Sequence, residues 1–289
     1  LGPLLVMSVL DTCLGTARGT GARVVLPEWG EPRVEAARVK LADLGLSPVP
    51  VAEANDAHVE AVIAARGATE ALARRMLSRP VIRAAAMVAV GEADVLVAGI
   101  ETPTRRVIEA ALLAIGLSDG VSMPSSFFLM VFPDGRELIF SDCAVTVKPD
   151  AGALAAIAIA SAQSARALVG EARVALLSYS TGTSGTGEDV DRVLAAAEET
   201  GFAGPVQADA ALNAAIAQAK GVGGGDANVL IFPSLDAGNI AYKLCQELAG
   251  AQAVGPFLQG FARPVCDLSR GATPDDIVAA TAVTLALRG

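Results

Sequence analysis

The chain has 289 residues, enough for one large core or two ordinary ones, and two is the better expectation for a chain that alternates strands and helices. Its formal net charge of −9 is spread over interspersed acidic and basic residues, which argues against nucleic acid or an anionic membrane as a partner. Just over half of the residues are apolar, much of that alanine, and no run of about 18 uncharged apolar residues is available to span a bilayer. The most apolar stretch, residues 151–168, includes Ser161, Gln163, Ser164 and Arg166 and reads as a buried helix. The first residues lack a basic segment and meet Asp11 early, so a secretory signal is not expected. Cys13, Cys143, Cys245 and Cys266 lie far apart without a CxxC pair, the usage of reduced core cysteines in a cytosolic protein. His58 is the sole histidine, in a polar stretch that resembles a helix start, so surface or structural use is expected of it.

In chain order, a first helix is expected over residues 3–17 and a short β-branched strand over 22–27. A helix over 32–44 follows, with Val34, Ala37, Leu41 and Leu44 on one face, Pro32 in its first turn and Gly45 past its end. Residues 48–51 suit an edge strand, since their prolines remove ladder donors. Helices are expected over 58–66, 69–77 and 81–90, then a buried strand over 94–99 leading into a helix over 102–115. Strand, glycine turn and helix in succession imply parallel strands. The apolar runs 125–132 and 137–140, joined by Pro133-Asp134-Gly135-Arg136, read as an antiparallel hairpin whose phenylalanines pack in a core. The α/β rhythm resumes with a helix at 151–169, a strand at 174–179 and a helix at 189–200. A weaker helix at 210–220, a strand at 228–232 and a helix at 234–249 follow. A glycine-rich turn at 255–260 and a final helix starting at Thr273-Pro274-Asp275-Asp276 close the chain.

Three groups can carry chemistry. Residues 178–187, SYSTGTSGTG, present small hydroxylated residues and glycines between a strand and a helix, as an anion loop does, without a P-loop or dinucleotide signature. A plain flexible connection fits the same composition. Arg105 and Arg106 sit in the first turn of a helix, the unfavourable end of its dipole for a cation; a bound phosphate would reverse that sign, and an Arg105–Glu109 pair on a solvated face would also explain them. In the stretch Asp267-Leu268-Ser269-Arg270-Gly271, hydroxyl, guanidinium and carboxylate groups precede a helix N-terminus. Asp276 there is fully explained as the N3 partner of a capping box with Thr273.

Several blocks in order along the chain resemble the phosphate acetyltransferase and phosphate butyryltransferase family. They are Val24-Val25-Leu26-Pro27-Glu28 with Glu31-Pro32-Arg33-Val34; Gly91-Glu92-Ala93-Asp94 leading to Val97-Ala98-Gly99; Ser125-Ser126-Phe127-Phe128-Leu129-Met130; and Asp142-Cys143-Ala144-Val145 with Lys148-Pro149-Asp150. Then come Leu177-Ser178-Tyr179-Ser180-Thr181; Asn228-Val229-Leu230-Ile231-Phe232-Pro233; Gly238-Asn239-Ile240-Ala241-Tyr242-Lys243; Gly255-Pro256-Phe257-Leu258-Gln259-Gly260; and Asp267-Leu268-Ser269-Arg270-Gly271. The acetyl branch is resembled more than the butyryl one.

The resemblance implies two three-layer α/β/α domains with a cleft between them, of the isocitrate and isopropylmalate dehydrogenase architecture. One domain would comprise residues 1–119 and 260–289 and the other residues 120–259. It also implies a homodimer that moves an acetyl group between coenzyme A and phosphate, with no metal or redox cofactor and with coenzyme A, acetyl phosphate and phosphate as ligands. Ser269 and Arg270 map onto the family's catalytic serine–arginine pair and Asp276 onto its base, which takes the coenzyme A thiol proton. Substrate contacts are expected from Ser180, Thr181, Gly182, Thr183, Ser184, Asn239 and Lys243. A family arginine falls at Glu109, with Arg105 or Arg106 as its expected replacement, and Cys266 stands where the family often has asparagine. Two alternatives stay open: transfer of a longer acyl group such as butyryl, and a non-catalytic binder of acyl phosphate or coenzyme A, which Glu109 would favour.

Overall fold

The computed structural model describes residues 8–182 and 184–287. The chain divides into two compact units, Leu1–Gly120 with Gly260–Gly289, and Val121–Gln259. The first unit opens with α1 (Val9–Ala17), β1 (Arg23–Val25), α2 (Pro32–Asp43), β2 (Ser47–Val49), α3 (Asp56–Arg66), α4 (Glu70–Met76), α5 (Pro80–Ala89), β3 (Val95–Ala98) and α6 (Thr104–Ala114). The second contains β4 (Ser125–Val131), β5 (Glu137–Ser141), α7 (Ala151–Val169), β6 (Val174–Leu177), α8 (Glu188–Thr200), β7 (Ala203–Val206), α9 (Ala208–Leu212), α10 (Ala214–Ala219), β8 (Val229–Ile231), α11 (Leu235–Ala249) and β9 (Gln252–Gln259). β10 (Val265–Asp267) and α12 (Pro274–Ala286) return to the first unit.

In the first unit the strands run β2-β1-β3-β10, all parallel, with Val24 opposite Val95 and Asp267 opposite Ala98. Val24, Val25 and all of β3 and β10 are buried, as strands covered on both faces require. Helices α1, α2 and α12 pack together, as do α3, α5 and α6, and β3 touches both α5 and α12, so the sheet lies between two helical layers. The helices start where local chemistry says they should. Ser8 and Asp11 form a capping box on α1, and the Glu31 carboxylate receives the Arg33 and Val34 N–H groups with Pro32 at N1 of α2. Residues 3–7 of the expected first helix lie outside the described residues. His58 is wholly buried at N3 of α3, where its ring meets Asn55 N and the Glu92 carboxylate at 2.9 Å, a structural use away from the surface.

In the second unit the order is β9-β4-β5-β8-β6-β7. The expected hairpin is there: β4 and β5 are antiparallel, with Phe128 opposite Phe140. The remaining strands from β5 onwards pair in parallel. Alternation along β4 divides its side chains between two cores. Phe127 meets Phe257 at 5.1 Å, whereas Phe128 and Met130 join Leu138, Phe140, Leu230 and Phe232 under α9, α10 and α11. α7 is apolar and long enough to cross a membrane by length and composition, yet it packs on β4, β5, β6 and β8 and on α8.

Three expectations need correction. Residues 255–259, in the stretch expected as a glycine-rich turn, continue β9. Between the pairs Phe127↔Phe257 and Leu129↔Val254, β9 carries one residue more than β4, and Gly255 at φ +133° absorbs the bulge. A Cβ on Gly255 would stand 3.0 Å from the Phe127 carbonyl oxygen. The weak helix at 210–220 is two helices, because the Asn213 side chain caps α10 by accepting from Ala215 N and Ile216 N. β7 was not expected at all, since Gly204 and Pro205 sit inside it; it is a sheet edge, where a missing donor costs least.

Candidate active site

Parallel α/β sheets put their binding groups beyond the carboxyl ends of the strands. In the first unit that end of β10 carries residues 267–276. Leu268 N donates to Ala98 O at 2.7 Å, then Ala272 N closes a turn onto Ser269 O at 2.9 Å and Gly271 N approaches Ser269 Oγ at 3.3 Å. From α2, Arg33 Nη1 donates to Arg270 O at 2.6 Å and to Ala272 O at 3.3 Å, while Glu31 holds its Nε at 2.7 Å. Lys40 grips Asp275 at 2.7 Å. The backbone of the turn is thus clamped, while the side chains of Ser269 and Arg270 stay exposed. The α12 capping box is complete: Thr273 N and Oγ1 both donate to Asp276 Oδ2 at 2.8 Å. Both bonds use Oδ2, so capping does not consume Oδ1. Ser269, Arg270 and Asp276 therefore share one turn at a helix N-terminus, an arrangement that suits an anion.

A second cluster was missed by sequence reasoning. Glu28, on the turn after β1, is buried and its carboxylate accepts N–H groups from Gly99, Ile100, Glu101 and Thr102 at 2.7–3.2 Å. The backbone nest at the end of β3 is filled by the chain's own anion. Beside it, Asp267 is buried, with Thr104 Oγ1 donating to its Oδ2 at 2.6 Å and Oδ1 without a partner. Burial pushes the Asp267 carboxyl up to about 7; the Thr104 hydrogen bond opposes this and the Glu28 charge adds to it. Gly99 lies between the two carboxyls at φ +128°. A Cβ there would meet the Leu268 backbone at 2.5 Å and Asp267 Oδ1 at 3.0 Å. The only sequence signal was Glu28 and Gly99 appearing in separate family-like blocks.

On α6, Arg105 is exposed, and Arg106 binds Glu109 at 2.7 Å. Arg79 binds the same carboxylate through both terminal nitrogens at 3.1 Å. The two guanidinium groups hold Glu109 well below the usual carboxylate range, at about 2. Glu109 thus pairs with Arg106 at i,i+3, where an i,i+4 pair with Arg105 was considered.

The other expected contacts belong to the second unit. Ser180 and Thr181 are buried, Gly182 and Ser184 are exposed, and Thr183 lies outside the described residues. Much of this loop bonds to itself, Gly185 N to Ser180 Oγ at 2.7 Å and Thr181 N to Ser184 Oγ at 3.0 Å, and Thr181 Oγ1 donates to Gln207 Oε1, before α9, at 3.1 Å. Asn239 Nδ2 donates to Cys143 O at 3.2 Å, next to Asp142, whose carboxylate accepts from Ala144, Val145 and Thr146 N–H groups and from the Ser126 hydroxyl. Lys243 is exposed, with Nζ 5.8 Å from the Tyr242 ring, which stacks on Phe128 at 4.3 Å.

The fold is that of an α/β protein of two units, and the candidate groups in it stand at strand ends and helix N-termini, places that suit an anion. A family model described as phosphate acetyl/butaryl transferase matches residues 50–285. The phosphate acetyltransferase of Paracoccus denitrificans is 38% identical, over 96% of this chain and 98% of that protein. That of Nitratidesulfovibrio vulgaris is 40% identical over 93% of this chain but only 44% of its own length. The chain thus spans less than half of several curated relatives that it matches. A solved phosphotransacetylase from Streptococcus pyogenes superposes with a TM-score of 0.91 at 30% identity, covering 98% of both chains. The chain belongs to the phosphate acetyl/butaryl transferase family.

Proposed function

We propose that this chain is a phosphate acetyltransferase that moves an acetyl group reversibly between acetyl phosphate and coenzyme A within a ternary complex. What carries the proposal is the turn on which Ser269, Arg270 and Asp276 meet at the start of α12. Asp276 takes the thiol proton through Oδ1 and the thiolate attacks the acyl carbonyl. The C–O bond to phosphate then breaks, with the electron pair leaving on phosphate. Arg270 and the Ser269 hydroxyl meet the charge that develops on the phosphate and carbonyl oxygens. Arg270 also helps to acidify the thiol, whose free pKa is about 8.5.

Coenzyme A and acyl phosphate contacts are assigned to Ser180, Thr181, Gly182, Thr183, Ser184, Asn239 and Lys243, with Arg105 as the cation at the α6 start. Arg106 is a poorer candidate because Glu109 already neutralises it. The reaction needs neither metal nor redox cofactor, the compartment is the cytoplasm, and the assembly is a homodimer. Thioester absorbance on mixing the protein with acetyl phosphate and coenzyme A tests the assignment. A rise with acetyl phosphate and little with butyryl phosphate is expected; the reverse preference moves the chain to the butyryl branch. No thioester from either leaves a non-catalytic binder, for which the Arg79–Glu109–Arg106 pairing speaks.

A further inference from the structure

Glu28 and Asp267 approach the Gly99 loop from two sides, and their surroundings divide the charge between them. Glu28 receives N–H groups from four successive residues, Gly99 to Thr102, as a carboxylate does. Asp267 is 1% exposed, has one hydroxyl donor and leaves Oδ1 without a partner. A buried carboxylate oxygen without donors costs far more than a neutral carboxyl oxygen in the same place, so the second negative charge is the one that must be removed. Two residues after Asp267 comes Ser269, and the Leu268 backbone between them lies against Gly99 so closely that no Cβ fits.

We propose that Asp267 is a positioning residue that works as a protonated carboxylic acid: through Thr104 it holds the strand end that leads into the Ser269–Arg270 turn to the start of α6, and the buried charge formed when it ionises loosens that turn. The other groups facing it do not compete for this role. Cys266, beside it on β10, is pushed up to about 12 by burial and stays neutral, with Thr284 of α12 bonded to it. β3 offers only Val97 and Ala98, and α6 offers the Thr104 hydroxyl. Glu101, Arg105, Arg106 and Arg270 are exposed to solvent. Burial, with the Glu28 charge adding to it, thus keeps the proton on Asp267.

The infrared carbonyl band of protonated carboxyls, followed in the wild-type protein between pH 5.5 and 8.5, tests the protonation without any assay of activity. A band that disappears with a midpoint near 7 and is missing from Asp267→Asn is expected; no such band in the wild type overturns the proposal. Amide hydrogen exchange of residues 268–272, corrected for its intrinsic pH dependence, tests the coupling. It should accelerate above pH 7 in the wild type and stay flat in Asp267→Asn, and equal profiles would sink the idea. The rate arm rests on the acetyl-transfer proposal: above pH 7 wild-type turnover should fall about tenfold per pH unit, and this limb should vanish in Asp267→Asn. If no acetyl transfer exists at all, the infrared and exchange results still stand or fall alone.

Discussion

Asp276 is a helix cap in the structure and the base in the proposed mechanism, and the two roles use different oxygens. As a cap it is bonded through Oδ2 to the Thr273 N–H and hydroxyl; as the proposed base it would use Oδ1. Asparagine keeps an acceptor for the cap and cannot take a proton. Asp276→Asn should therefore melt within about 1 kcal/mol of the wild type, while turnover falls about 100-fold or more. Lost stability with unchanged turnover would leave Asp276 as a cap only. Arg270→Gln, by contrast, touches no clamp, because Arg33 holds the Arg270 carbonyl and not its side chain. Its fold should survive while acetyl transfer drops by about 100-fold or more, and wild-type turnover would remove Arg270 from the mechanism. Both residues were legible in the sequence for local reasons. A capping box spans three residues, and the Asp-Leu-Ser-Arg-Gly run is contiguous. Glu28 was not, since its donors begin 71 residues away at Gly99. Nothing in the local pattern of a Leu-Pro-Glu turn says which loop will cover the carboxylate.

Elements were read best where their signals are short-range. The Pro133–Arg136 turn between two apolar runs made β4 and β5 a hairpin, and Asp150 with Gly170 bounded α7 at its observed limits. β7 was lost because an edge position depends on the tertiary surroundings; the break at Asn213 is a local cap, with its side chain accepting from Ala215 N and Ile216 N, and was read through as continuous helix. At this scale α6 shows how one carboxylate organises an element. Glu109 is depressed to about 2 and ties Arg79, just before α5, to Arg106 in the first turn of α6. A carboxyl whose folded pKa lies below its unfolded value adds stability above the unfolded value, near 4.5, and loses it as pH falls towards 2. The Glu109 side chain is 38% exposed, so screening keeps the effect to about 1 kcal/mol or less. Glu109→Gln should thus melt slightly below the wild type at pH 7, and the difference should shrink as pH drops from 4.5 towards 2. A difference independent of pH would mean that packing, and not charge, joins α5 to α6. Separately, Gly99→Ala should cost stability and acetyl transfer together, because the added Cβ strikes the Leu268 backbone at 2.5 Å, where no flexible side chain can yield.

At the scale of the whole molecule, the proposed homodimer needs a surface that can meet its own copy. α11 offers one: Ile240, Leu244 and Leu248 recur every four residues and are 57%, 51% and 81% exposed, while Gly238 is the helix's sole buried residue. Residues four apart lie on one face of a helix, so these three form a continuous apolar ridge. A two-fold axis brings a patch against itself, and a ridge laid antiparallel on its copy is self-complementary in shape. Lys243 and Glu247 flank it with one charge of each sign, so the antiparallel arrangement brings opposite charges within reach. Leu244, at the ridge's centre, then meets the second copy near the axis, where one substitution acts twice. Leu244→Lys places two ammonium groups there and should halve the mass seen by light scattering during gel filtration. The monomer's far-ultraviolet spectrum should be unchanged, because Leu244 contributes nothing to the buried core of its own unit. A wild-type protein of monomer mass would end the dimer proposal outright. A Leu244→Lys variant that keeps dimer mass would move the interface away from α11.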